Sequence, residues 1–227
     1  MTLPRKYRKS PEGAVAVYDY NDIADGTGVV NLYGSVATDR VQDYYILSNK
    51  VLFSSQIEET TAFSVAGFNI WTDVVDKDFD LTPFNNTRSV YGTAYVRFSA
   101  YCTNASGIAG DYRFSITLKK WDGTTETDIA SVTSAAQDLP TNPDQEQTFI
   151  LPIDISSVAT FTEGEQLRIN VLGQVKSDGN PGTTIGELTF GTDPQNRDGS
   201  VIVPSGDSTG NKTTNLRVWI PFRIDID

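Results

Sequence analysis

The sequence has no histidine and a single cysteine, Cys102, and these two gaps close off much of protein chemistry. Without histidine the chain lacks the side chain that most often moves protons near neutral pH. Ser-His-Asp and Cys-His catalysis are therefore excluded within these 227 residues. One cysteine cannot close an intramolecular disulfide, and without histidine it cannot complete a four-ligand zinc site. Cys102 reads as a small buried apolar residue, and the fold has to be held by packing and hydrogen bonds. No run reaches the ~18 apolar residues of a membrane span, and MTLPRKYRKSPEG does not lead into the apolar stretch of a signal peptide. Synthesis in a cytosol without membrane partners is the expectation. Neither a GxxxxGK[ST] phosphate loop nor a GxSxG elbow is present, and Gly26-Thr27-Gly28 lacks the third glycine of a dinucleotide fingerprint and reads as a turn.

Positive charge is also scarce. Eighteen Lys and Arg stand against 29 Asp and Glu, a net of −11, which disfavours broad binding to nucleic-acid phosphates or anionic lipid. Four of the eighteen, Arg5, Lys6, Arg8 and Lys9, fall in the first nine residues, so a cationic tail precedes an anionic body. With Pro4 and Pro11 bracketing it, this tail reads as a partner-docking arm rather than a merely solubilising terminus. Residues 1–40, broken by Pro and Gly around short apolar pieces, form an extended N-terminal arm in this reading, and residues 41–227 form the folded domain.

What the chain does have is aromatic and β-branched residues in a two-residue period. From Arg88, Val90, Ala94, Val96, Phe98 and Ala100 share one parity, with Ser89, Thr93, Arg97 and Ser99 on the other. Tyr112, Phe114, Ile116 and Leu118 repeat the pattern up to Trp121-Asp122-Gly123, a turn signal. Phe149, Leu151, Ile153 and Ile155 alternate around Pro152, which places that strand at an edge because proline cannot donate to a ladder. Thr162–Glu165 reads as a turn before Leu167, Ile169 and Val171. The closing run Leu216, Val218, Ile220, Phe222, Ile224 and Ile226 is the most regular. Seven or eight strands from Arg88 onward predict an all-β, antiparallel β-sandwich of jelly-roll-like form, with the last strand beside the one beginning near Arg88.

Two side-chain groups stand out. Tyr91, Tyr95 and Tyr101 share the outward parity of the Arg88 strand, and Trp219 is outward on the last strand. If those strands are neighbours, the four rings form an exposed contact patch suited to a subunit interface or to stacking on sugar. Coverage by the arm or a loop is the competing reading. Asp76, Asp78 and Asp80 alternate and would project on one side, where they could share a calcium ion; a solvated acidic edge that discourages strand pairing is the preferred reading. No cofactor is expected. A glycosidase needs only two carboxylates, but no feature singles out a pair, and the chain is read as having no enzymatic activity.

The segments PRKYRKSPEGAVAVYDYNDIADGTGVV, VYGTAYVRFSAY, FSITLKKWDGTTETDIAS, FTEGEQLRINV and LRVWIPFRIDID together resemble β-rich virion proteins of tailed bacteriophages, especially jelly-roll head decoration or cement proteins. That resemblance implies a non-enzymatic, trimeric subunit on the capsid surface, bridging capsomers through contacts with the major capsid protein, without sequence-specific nucleic-acid binding. The alternative is a tail or fibre component whose sandwich binds host glycan through the exposed aromatics and the loop-rich segment 176–210.

Overall fold

The computed structural model describes residues 27–65, 69–104, 109–139, 147–178, 184–197 and 214–223. These residues form twelve strands and no helix: β1 (Thr27–Thr38), β2 (Asp43–Ser48), β3 (Glu58–Val65), β4 (Thr72–Leu81), β5 (Arg88–Asn104), β6 (Gly110–Trp121), β7 (Glu126–Thr133), β8 (Gln137–Asp138), β9 (Gln147–Phe161), β10 (Gln166–Ser177), β11 (Thr184–Gly191) and β12 (Arg217–Arg223). The protein is all-β, and its pairings are antiparallel except where β2 meets β4.

The hydrogen-bonded order runs β3-β11-β5-β12-β1-β2-β4-β10-β6-β7, with β9 on the free side of β5 and β8 on β6. This continuous path doubles back to make two layers. One layer contains β9, β5, β12 and β1, with β11 and β3 extending it; the other contains β4, β10, β6 and β7. The proof is in the rings. Phe98 of β5 and Phe114 of β6 belong to strands that do not pair, yet their centroids lie 5.0 Å apart edge to face. Phe114 also reaches Phe149 of β9 at 5.4 Å and Phe190 of β11 at 6.2 Å, and Phe79 of β4 reaches Phe190 at 6.4 Å.

The period read from the sequence produces this core. Val90, Ala94, Val96, Phe98 and Ala100 are fully buried, as are Phe114, Ile116, Leu118, Ile153, Leu167, Ile169 and Val171. Each large side chain so placed contributes roughly 1.5–3 kcal/mol relative to exposure. The layers approach closely at Gly173 of β10, where a Cβ would stand 2.6 Å from Leu188 Cδ2 of the facing layer and 3.0 Å from Val75 Cβ. Any side chain there has to displace Leu188 and crowd Val75 and Phe114.

The edge reading of Pro152 agrees with β9, which pairs with β5 alone among the described strands. Its register on β5 shifts between Val90 and Gly92, and Gly92 takes φ of +105°, the left-handed region that a glycine enters without strain. The closing strand lies where the jelly-roll pattern put it, antiparallel to β5. One boundary differs. Residues 27–38, read from the sequence as the end of an arm, are strand β1, paired with β12 on one side and β2 on the other. Leu32 and Val36 enter the core, and the Pro/Gly punctuation hid a strand whose apolar residues are spaced by glycine and serine. Residues 1–26, including Arg5, Lys6, Arg8 and Lys9, lie outside the described residues.

Candidate docking face

The two outer surfaces of the sandwich are chemically different. On β9-β5-β12-β1 the outward residues form rows across the strands. Pro152, Tyr95, Trp219 and Asn31 occupy one row by register, and Ile150, Arg97, Arg217 and Tyr33 occupy the next. Tyr91 and Tyr95 are each 46% exposed, Ile150 is 62% exposed and Val29 is 41% exposed. Trp219 is half-buried between Tyr95 and Asn31. Asn31 Nδ2 donates to the Tyr33 hydroxyl at 3.0 Å, and the Arg217 guanidinium carbon lies 5.2 Å from the Tyr33 ring centre. Two polar atoms in these rows, Arg217 Nε and Asn31 Oδ1, are buried without a hydrogen-bond partner. Large apolar and aromatic groups left in water beside underused polar groups are the marks of a contact surface.

The outer face of β4-β10-β6-β7 is charged and satisfied from within. Asn170 Nδ2 donates to Asp76 at 2.6 Å and to Asp78 at 2.9 Å. Arg168 clasps Asp80 through Nε at 2.6 Å and through a second nitrogen at 2.7 Å, pairs with Glu126, and stacks 4.6 Å over the Trp121 ring. Those bonds hold the Arg168 guanidinium well above its usual pKa, and Lys119 with Arg168 holds Glu126 below the usual carboxylate range. Asp78 moves the other way because burial outweighs its bonds. The three alternating aspartates have protein partners on β10, and β4 lies between β2 and β10, so the expectation of a solvated edge that discourages pairing does not hold. At the near end of the same face, Arg113 lies 4.0 Å over the Trp71 ring and Lys176 pairs with Asp111 at 2.8 Å.

Of the four rings expected to form one patch, the structure pairs two, Tyr95 and Trp219, as direct cross-strand partners. Tyr91 is exposed earlier on β5, at the register shift beside Gly92. Tyr101 does not join them. It is 6% exposed, at the far end of β5 where β11 replaces β12 as neighbour, and it faces Thr189, itself fully buried. Ile150, Val29, Tyr33 and Arg217 belong to the face but were not singled out from the sequence; the signal was the parity of β1 and β9 relative to Tyr95, which needs the register. Cys102 is buried, and that burial pushes its thiol pKa upward, away from reactivity.

A second polar cluster lies at the start of β3. Glu59 is 6% exposed, with Lys77 Nζ at 3.4 Å, and Lys77 Nζ in turn donates to the Tyr45 hydroxyl at 2.7 Å. The adjacent Glu58 has its carboxyl pushed up to about 7 by burial and by the negative charge of Glu187. Glu58 Oε2 and Glu59 Oε1 are buried without hydrogen-bond partners.

No family model matches the chain, and no curated protein does. Solved structures of similar fold include an α-amino acid ester hydrolase labelled with selenomethionine, at 12% identity and TM-score 0.52 over 86% of this chain and 36% of that one. An aminopeptidase from the marine sediment archaeon Thaumarchaeota archaeon aligns at 11% identity and TM-score 0.52 over 88% of this chain and 37% of that one. A structure of infectious bursal disease virus, Gt strain, aligns over 96% of this chain and 40% of that one at 8% identity, with a TM-score of only 0.33. The chain spans little more than a third of the two hydrolases, and identities this low show the fold alone.

Proposed function

We infer that the expectation of a chain without enzymatic activity does not stand, because solved structures of similar fold include two hydrolases. What survives is narrower: histidine-dependent chemistry is closed within these residues. We propose that the chain is a structural building block of a virion that docks on neighbouring subunits through the β9-β5-β12-β1 face, in the manner of a tailed-phage head decoration protein. The observation that carries this reading is the register of Tyr95 on Trp219 in a row with exposed apolar neighbours, opposite an outer face already satisfied by its own bonds. Tyr, Trp and Arg with a polar rim are the composition of an interface core. In this proposal the partner is the major capsid protein, the location is the capsid surface, and the basic tail with Arg5, Lys6, Arg8 and Lys9 adds a second attachment. Stoichiometric binding to empty phage capsids, measured by co-sedimentation, tests it. Loss of attachment with Tyr95→Ala is expected, and capsids that take up none of the unaltered chain would remove the proposal.

The hydrolase likeness favours a second reading, a β-sandwich that works as part of a larger hydrolase assembly. Turnover of amino-acid esters or peptides on addition of this chain to a partner, and none without it, would move the assignment there.

A further inference from the structure

The hairpin of β1 and β2 ends in an apolar knob. Val41, in its turn, is 88% exposed, the highest value of any large apolar side chain among the described residues, and Phe53, in the loop from β2 to β3, follows at 69%. Tyr44 of β2 is half-exposed beside them. These side chains are not scattered singly. Thr38 Oγ1 donates to Asp43 at 2.7 Å, Gln56 Nε2 donates to the other oxygen of Asp43 at 3.0 Å, and the Thr38 amide donates to Ser55 Oγ at 2.8 Å, so the loop carrying Phe53 is tied to the tip carrying Val41. The Arg197 guanidinium carbon lies 4.5 Å from the Phe53 ring centre. The tip is also braced into one shape. Asp39 Oδ1 accepts from the amides of Val41 at 2.6 Å and Gln42 at 2.9 Å, and the Tyr44 hydroxyl donates to Asp39 Oδ2 at 3.0 Å. The amides of Gln42 and Val41, and then that hydroxyl, hold the Asp39 carboxyl below the usual carboxylate range. An apolar side chain on a turn fixed in this way loses little conformational entropy when it docks.

We propose that the docking face does not end at Tyr33 but continues over this tip, where Val41 and Phe53 seat in an apolar socket of the same virion subunit that covers Tyr95 and Trp219. The argument is continuity. β12 follows β1 as far as Tyr33, and the Gly34 amide bonds to the Leu216 carbonyl; beyond them Ser54 and Ser55 take the place of β12, bonding to Val36. Tyr44 is the register partner of Ala37, which has the outward parity of Tyr33, so Tyr44 stands on the same outer side. The surface from Tyr95 to the hairpin tip is therefore one side of the sandwich. Charge defines the socket. Residues 38–57 hold Arg40 and Lys50 against Asp39 and Asp43, a balance of zero in a chain of net −11. A locally neutral, apolar knob fits an uncharged apolar recess rather than a polyanion or a strongly charged patch.

This rests on the reading that the β9-β5-β12-β1 face docks on a virion subunit, and co-sedimentation of the full chain with empty phage capsids over a concentration series, at low and high salt, tests it. The expected result is an affinity about tenfold lower in Val41→Ser and in Phe53→Ser, by the same factor at both salt concentrations because no charge is removed. Both variants retain the parent far-ultraviolet circular dichroism, since these side chains stand in solvent. Asp39→Ala removes the brace without touching the contact and weakens attachment less, and Asp39→Asn, whose amide oxygen can accept from the same two amides, restores most of it. Attachment of Val41→Ser and Phe53→Ser at parent strength, with Tyr95→Ala lost, overturns the inference and leaves the docking face in place. Self-association of the chain in sedimentation velocity that Val41→Ser abolishes gives the tip to a second copy and overturns it as well. Capsids that take up none of the unaltered chain overturn both.

Discussion

Tyr95 of β5 and Trp219 of β12 are direct partners across an antiparallel ladder, and both side chains stand on the outside of the sandwich. Their backbone neighbours Val96 and Val218 are fully buried on the other side. Two adjacent strands therefore spend one face on the core and offer the other to a partner, so the aromatic face can be altered without touching the packing beneath it.

That separation makes the first prediction. Tyr95→Ala should change stability by no more than about 0.5 kcal/mol, since a half-exposed ring on an outer face is outside the core. Chemical denaturation measures that value, and capsid co-sedimentation of the same variant should show attachment lost. A large drop in stability would mean that the ring is structural.

Phe98 is the opposite case. It is fully buried, stacked at 5.3 Å on Phe149 and edge-on to Phe114 and Phe190. Phe98→Ala removes contacts with both layers and should cost about 3–5 kcal/mol by urea denaturation. A cost below about 1 kcal/mol would show that the interlayer cluster is not where stability resides.

Overpacking at the closest approach of the layers should also be costly. Gly173→Val drives a branched side chain into Leu188 and Val75, with Phe114 3.2 Å from the new Cβ. An expected loss of about 1–3 kcal/mol would appear as a lowered thermal midpoint. An unchanged midpoint would show that the layers can part at that position.

Glu58 gives a pH dependence with a definite sign. Its carboxyl sits at about 7 in the folded protein against 4.5 ordinarily, so the fold favours the protonated form. Its contribution is fully present below pH 4.5 and is lost as pH rises through 7, where a half-buried carboxylate must ionise. Glu58→Gln should leave the midpoint at pH 4 nearly unchanged and raise stability at pH 8 by about 1 kcal/mol, after allowance for solvent screening. Equal effects at both pH values would assign the change to packing.

Alternation was the legible part of this fold. The parity of Val90 to Ala100, of Phe149 to Ile155 and of Leu216 to Ile220 predicts the buried side of β5, β9 and β12, and pairing the last strand with β5 follows from the jelly-roll pattern. Parity fixes the face of a residue but not its depth, which is why Tyr101 reads like Tyr91 and Tyr95 and is nevertheless buried. β1 was missed for a different reason. Its sequence TGVVNLYGSVAT takes its strand character from two neighbours, one close in the chain and the other at the far end of the described residues, rather than from its own propensity. The raised pKa of Glu58 comes first from burial in the assembled sheet and then from the charge of Glu187, on a strand distant in sequence, so no local pattern announces it. The docking face needed the register of four strands, and a single outward tryptophan is a weak pointer to it.

The position of β12 has a consequence for how the molecule is made. It lies between β1 and β5, so the layer that carries the aromatic face is interrupted down its middle until residues 217–223 have been synthesised. A nascent chain that stops short of them has two open strand borders facing an apolar gap, and neither can close on the other. Completion of this half of the sandwich is therefore a late, long-range event, slow compared with hairpin formation, and a chaperone that shields β1 and β5 would act in that interval.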